Sequence, residues 1–182
     1  RHSDALLITH WGMSGPAILK LSSHAARLAQ ERAYKFPILV NWLNETNNET
    51  VTAALQNIIQ NHPQKKISGT RPYNLPTRLW HYLIDKSGIA PDRKGNELGH
   101  KGLCKLTDTL CNDRYEVNGR SAFREEFVTC GGISLESVQR QTLESKTCPG
   151  LYFAGEVLDI DGVTGGFNFQ AAWSTAYIVA QA

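Results

Sequence analysis

Gly150-Leu151-Tyr152-Phe153-Ala154-Gly155-Glu156-Val157-Leu158-Asp159-Ile160-Asp161-Gly162-Val163-Thr164-Gly165-Gly166-Phe167-Asn168-Phe169-Gln170 is the most informative stretch of this sequence. Its first part, Leu151 to Gly155, is apolar and reads as a buried strand ending on glycine, with the acid Glu156 next. In open α/β sheets, ligands lie at the carboxyl ends of strands. Asp159, Asp161 and Gly162 follow, and Thr164-Gly165-Gly166-Phe167-Asn168 runs directly into an apolar helix. Paired glycines at a helix start let the backbone approach a ligand, while free amides and the helix dipole favour negative charge. A pyrophosphate or an anionic flavin carbonyl suits such a pocket. An ordinary strand–loop–helix turn, with glycines for tight packing, suits the same residues equally well on spacing alone.

Outward from that stretch the chain changes character twice. Ala5 to Thr9 reads as a short buried strand, stopped by the turn His10-Trp11-Gly12-Met13-Ser14-Gly15-Pro16. Ser14 is the expected N-cap of a helix whose apolar positions are Ala17, Ile18, Leu21, Ala25 and Leu28. Lys35 to Leu43 is a further strand. Helices are expected over Glu49–Asn61, Leu75–Lys86 and Glu97–Cys111, giving a helical segment across residues 46–112. Tyr115-Glu116-Val117 and Glu126-Phe127-Val128-Thr129 around Asn118-Gly119-Arg120 read as a hairpin, and Phe169 to Ala182 as a closing apolar helix.

Composition narrows the classes without choosing one. The 182 residues are 41% hydrophobic and 20% charged, which excludes disorder, collagen-like repeats and a coiled coil. A net charge of +2 advertises neither nucleic acid nor membrane, and no apolar run is long enough to span a bilayer. Cys104, Cys111, Cys130 and Cys148 have irregular spacing, so no metal site and no disulfide framework is expected, and a cytoplasmic location is the expectation. Cys130 reads as a buried structural thiol, His10 as a hydrogen-bonded turn residue. Between Thr50 and Ile84 there is no acid, while Lys65, Lys66, Arg71, Arg78 and His81 interleave with Tyr73, Trp80 and Tyr82. That run reads first as a solvated helix face with its aromatics turned inward. As a binding surface it suits an NAD(P)H phosphate or an anionic substrate ahead of single-stranded nucleic acid.

Three separated segments carry a resemblance, in consistent order: Thr9 to Leu19, Val128-Thr129-Cys130-Gly131-Gly132-Ile133 with Leu143 to Lys146, and Gly150 to Gln170. Together they resemble the C-terminal portion of a bacterial family of NAD(P)/FAD-dependent oxidoreductases, the uncharacterised flavoproteins whose members include a bile-acid-pathway reductase and an aminoacetone oxidase. The resemblance implies an α+β fragment in three parts: a β-rich insert, a helical subdomain and the last strand and helix of a Rossmann-type FAD domain. The corresponding boundaries are 1–45 for part of the insert, 46–112 for the helical subdomain, 113–130 for a returning hairpin, and 131–182 for the FAD-domain tail. It also implies FAD contacts from Gly155 and Glu156 along the ribityl–phosphate part. Thr164, Gly165, Gly166, Phe167 and Asn168 would lie at the isoalloxazine edge, with Gly131 and Gly132 bringing backbone close to the ring.

The family's GxGxxG phosphate loop is absent from this chain, so the expectation is a fragment, colourless when purified and binding FAD weakly or not at all. The implied chemistry is hydride transfer through flavin N5 on a small-molecule substrate, with NAD(P)H as a candidate donor and no identified catalytic residue. Nucleic acid is set aside as a partner, and self-association of the fragment is expected. The competing reading is a non-catalytic binding module whose basic helical segment docks a protein or polyanion.

Overall fold

The computed structural model describes residues 1–45, 47–121 and 128–182. They divide into two compact units, Arg1–Phe36 with Asn118–Ala182, and Pro37–Val117. Among the described residues, helices and two small two-stranded sheets are joined by turns and loops, a mixed α and β architecture.

The first unit opens with β1 (Leu7–Ile8) paired antiparallel to β2 (Met13–Ser14). Leu7 and Ile8 are 56% and 55% exposed, so the expected buried strand is instead a two-residue surface ladder. Thr9, not His10, ties the intervening turn: its N–H and hydroxyl donate to the Gly12 carbonyl, and its Oγ1 accepts from the Gly12 N–H. Helix α1 (Pro16–Glu31) starts after Gly15, with proline in its first turn. Ser14 is not the cap, because it is held in the ladder opposite Leu7. Gly15 takes the cap position at φ 92°, where an added Cβ would sit 3.0 Å from the Leu7 nitrogen. Strand β3 (Lys35–Val40), in which the chain passes to the second unit after Phe36, has Phe36, Ile38 and Val40 alternately half-buried.

The second unit is built on three helices. Asn47 caps α2 (Asn48–Asn61) by accepting the Glu49 N–H, and Val51 and Leu55 are its buried stripe. Helix α3 (Thr77–Lys86) begins after Pro76 and buries Trp80, Leu83 and Ile84 completely. The Trp80 indole N–H donates to the Ile67 carbonyl at 3.0 Å, so the ring is buried without an unpaired polar atom. Helix α4 (Gly99–Cys111) contributes Leu103, Leu106 and Leu110 to the same core. Each such fully buried aliphatic side chain contributes roughly 1.5–3 kcal/mol by leaving water.

Strand β4 (Asp113–Asn118) pairs with β3. The buried Asp113 carboxylate is satisfied on both oxygens, by the Lys86 ammonium at 2.6 Å and the Trp42 indole N–H at 3.0 Å. Burial, with hydrogen bonds to Tyr82 and Asp113, pushes the Tyr115 phenol far above its ordinary range, so it stays protonated. Tyr115–Val117 pair with β3, and the expected hairpin arm at Glu126–Thr129 lies half outside the described residues. Glu126 and Phe127 lie outside the described residues, and Val128 and Thr129 are in no strand.

The tail returns to the first unit. Its core is small: Val138, Leu143 and Leu158, with Ile133, Phe153, Ile160, Ile178 and Val179 packed around them. The expected buried strand at Leu151–Gly155 is reduced to one bridge, Glu144 to Tyr152, and Leu151 is 44% exposed. Two backbone hydrogen bonds hold it there, from the Ser145 N–H to the Leu151 carbonyl at 2.7 Å and from the Phe153 N–H to the Leu143 carbonyl at 3.1 Å. Helix α5 (Phe167–Ala180) closes the chain and presents Phe169, Trp173 and Tyr177 outward, each about two-thirds exposed. Among the described residues no helix is long and apolar enough to cross a membrane.

Candidate functional site

The residues singled out in the tail fall into two groups, joined through α5. The first is a parallel bridge between Ile133 and Leu158, made by the Ile133 N–H to the Val157 carbonyl and the Asp159 N–H to the Ile133 carbonyl, both 2.9 Å. Gly132 is what permits it. A Cβ there would meet the Val157 oxygen at 2.6 Å and the Leu158 carbonyl carbon at 2.8 Å. The close backbone approach expected of Gly132 is therefore made to the chain itself. Gly131 is different: at φ 109° a side chain would meet nothing within 4 Å.

Gly155 and Glu156 sit in a single 3₁₀ turn, Gly155–Val157. The Gly155 N–H donates to the Thr175 hydroxyl on α5 at 2.9 Å, and that hydroxyl donates onward to the Ala171 carbonyl at 2.7 Å. The Glu156 carboxylate accepts the Thr129 N–H at 2.9 Å through one oxygen. A side-chain hydroxyl inside a helix thus fixes the glycine, and the acid reaches back to the segment before the double glycine.

The second group is the loop into α5. Asn168 closes it from both ends of its amide: Oδ1 accepts the Gly162 N–H at 2.7 Å and Nδ2 donates to the Gly162 carbonyl at 3.0 Å. Its side chain is thus used within the loop. Gly166 caps α5 in the left-handed region with no side-chain hydrogen bond, and nothing lies within 4 Å of where its Cβ would be. Gly165 meets only the edge of the Phe167 ring, at 4.0 Å. Thr164 is half-buried and Phe167 is 65% exposed. Gly131, Gly165 and Gly166 all need glycine for their backbone angles, yet the space beside them is open. Together with the uncapped amides of α5, that open backbone fits a planar, partly anionic cofactor.

Sequence reasoning missed one constellation. The Arg27 guanidinium on α1 forks onto both carboxylate oxygens of Asp159 at 2.9 Å, across 132 positions of sequence. The Cys130 thiol interacts with Asp161 and with Arg27, and it is half-buried rather than buried. The Asp161 hydrogen bond pushes the thiol above its ordinary value, with desolvation adding and Arg27 opposing. No motif links these residues, and only the double glycine after Cys130 marked the place.

With that geometry in hand, known proteins supply the context. A ribosomal RNA dihydrouridine synthase of Escherichia coli (strain K12) is 36% identical over 178 residues, 98% of this chain and 42% of the relative. The protein of the same name in Haemophilus influenzae is 32% identical over 177 residues, 97% of this chain and 41% of the relative. A 3-dehydro-bile acid delta(4,6)-reductase of Clostridium scindens is 29% identical over 175 residues, 96% and 42% respectively. The chain therefore spans less than half the length of these curated relatives. The HI0933-like protein Rossmann domain matches residues 2–182, and with nearly every residue inside that match the chain belongs to the HI0933-like family.

Proposed function

We propose that this chain is the C-terminal, flavin-contacting portion of a longer FAD-dependent reductase that saturates a carbon–carbon double bond, with the uracil ring of ribosomal RNA as substrate. The observation that carries the cofactor reading is the open start of α5: Gly165 and Gly166 leave the first-turn amides uncovered, and Asn168 holds the loop in place. Bound FAD would supply hydride transfer through N5, with NAD(P)H as the donor. The first-turn amides of α5 would stabilise negative charge on the ring edge, and Gly131 would let backbone lie against it. The Glu156 oxygen not bonded to Thr129 would accept a ribityl hydroxyl. The substrate half of the proposal rests on the names of the three relatives, which share one reaction class. Although the sequence alone favoured a small molecule, two of those names bring RNA forward.

As an isolated piece, the chain is expected to self-associate through the aromatic face of α5. The deciding experiment compares this chain with the longer protein that contains it. The longer protein is expected to purify yellow, to oxidise NAD(P)H, and to leave ribosomal RNA with a uridine two hydrogens heavier by mass spectrometry. Residues 1–182 alone are expected to be colourless. A longer protein without flavin would end the cofactor reading; a flavoprotein that leaves uridine unchanged would end the substrate reading only.

A further inference from the structure

One polar cavity in the helical unit has no place in the flavin chemistry. It has a volume of about 410 Å³ and is lined by His62, Lys65, Ser68, Arg71, Asn74 and Thr77, among others. Its charge is one-sided at the level of sequence: from Thr50 to Ile84 there are four Lys or Arg and two His, and no Asp or Glu. The loop bonded alongside is balanced, since the Ile67 and Ser68 N–H groups donate to Arg93 and Pro91 and bring Arg93 and Lys94 together with Asp92 and Glu97. The positive excess therefore belongs to the cavity's own segment.

The site is also shaped. Arg71 is held by donating to the Thr77 hydroxyl at 2.9 Å, which turns a flexible cation into a placed one. Asn74, which lines the cavity, and Tyr73, its chain neighbour just outside that lining, are consecutive left-handed residues, φ 52° each, a conformation tyrosine rarely adopts, and the Glu45 carboxylate acts on the Tyr73 phenol. The result keeps Tyr73 45% exposed while its neighbours Pro72 and Leu75 are buried. Trp80 turns inward, as the sequence suggested for the whole aromatic set, but Tyr73 and Tyr82 stay at the surface.

A placed arginine, a lysine, hydroxyl and amide donors and a neighbouring exposed ring are the parts with which proteins hold a single-stranded nucleic acid backbone and stack a base. We infer that this groove binds the phosphodiester backbone of the RNA substrate, with Lys65 and Arg71 on phosphates and Tyr73 under a base. The inference rests on the reading that the substrate is RNA, and it assigns the helical unit the role of substrate anchor.

The test is fluorescence anisotropy of residues 1–182 with a labelled uridine-rich single-stranded RNA of about 16 nucleotides, over a range of salt. Lys65→Gln with Arg71→Gln is expected to weaken binding about tenfold and to flatten the log–log salt dependence by about 1.4, two single-strand phosphate contacts' worth. Tyr73→Ala is expected to weaken binding with the salt slope unchanged, and Arg140→Gln, in the other unit, to change neither. Far-UV circular dichroism checks folding, and Lys65→Gln alone, which breaks none of the hydrogen bonds described, gives a second reading with half the slope change. Undiminished binding by the double variant, no RNA binding by the wild type, or displacement by low-micromolar NADPH would each overturn the inference. Reduction of uridine in ribosomal RNA by the longer protein is scored separately. Groove failure with that activity intact is thus distinguishable from failure of the substrate reading.

Discussion

Gly131 and Gly132 are neighbours with opposite reasons for being glycine. At Gly132 an added methyl would collide with the backbone of Val157 and Leu158, so Gly132→Ala is expected to cost about 2–3 kcal/mol in urea unfolding. At Gly131 only the backbone angle objects, and Gly131→Ala is expected to cost about 1 kcal/mol while impairing flavin uptake by the longer protein. The pair was legible as a close approach, but what it approaches was not, because the partner lies some 25 positions downstream. Cys130 offers a second residue-scale test. Its thiol is raised chiefly by Asp161, so alkylation followed by site-resolved mass spectrometry should accelerate at a higher pH than for an ordinary cysteine thiol. Asp161→Asn is expected to shift that profile to lower pH and speed modification several-fold near pH 8, whereas Arg27→Ala removes the opposing cation and shifts it higher.

The helices of the second unit were readable element by element, to within a residue or two at most ends, because each carries apolar residues at helical spacing between proline or glycine stops. The short strands were not. β1 and β2 are two residues each, and the segment at Leu151–Gly155 makes one bridge, so apolar composition alone overstated both burial and length. Helix α5 is apolar nearly all round, a pattern that marks a helix meant to be covered on every side. Trp80 in α3 and Trp173 in α5 separate the two situations. Trp80→Ala removes a fully buried ring and is expected to cost about 3–5 kcal/mol. Trp173→Ala, on a side chain 69% exposed, is expected to stay within about 0.5 kcal/mol of wild type in the same chain.

At the scale of the whole molecule, stability is unevenly stocked. The second unit is one continuous run with a contiguous core built from three helices, whereas the first is assembled from two separated stretches around a few buried side chains. Residues 37–117, excised, are expected to keep helical circular dichroism and a cooperative thermal transition. The changing periodicity of the sequence marked a helical segment at 46–112, whereas the compact unit runs Pro37–Val117 because its two ends lie inside the paired strands β3 and β4. The long-range ties that finish the first unit, Arg27 to Asp159 and Gly155 to Thr175, follow no local pattern and could not be read from it.

The chain crosses between the units within β3 and within β4, and those two strands pair with each other. Paired strands run roughly 5 Å apart, so the helical unit's entry and exit are side by side. A segment with adjacent ends behaves as a cassette. Over evolutionary time it can be lengthened, replaced or reduced to a tight turn by recombination at two neighbouring points, without redrawing the path of the chain on either side. Such a cassette can change its own surface while the paired strands at its base stay as they are.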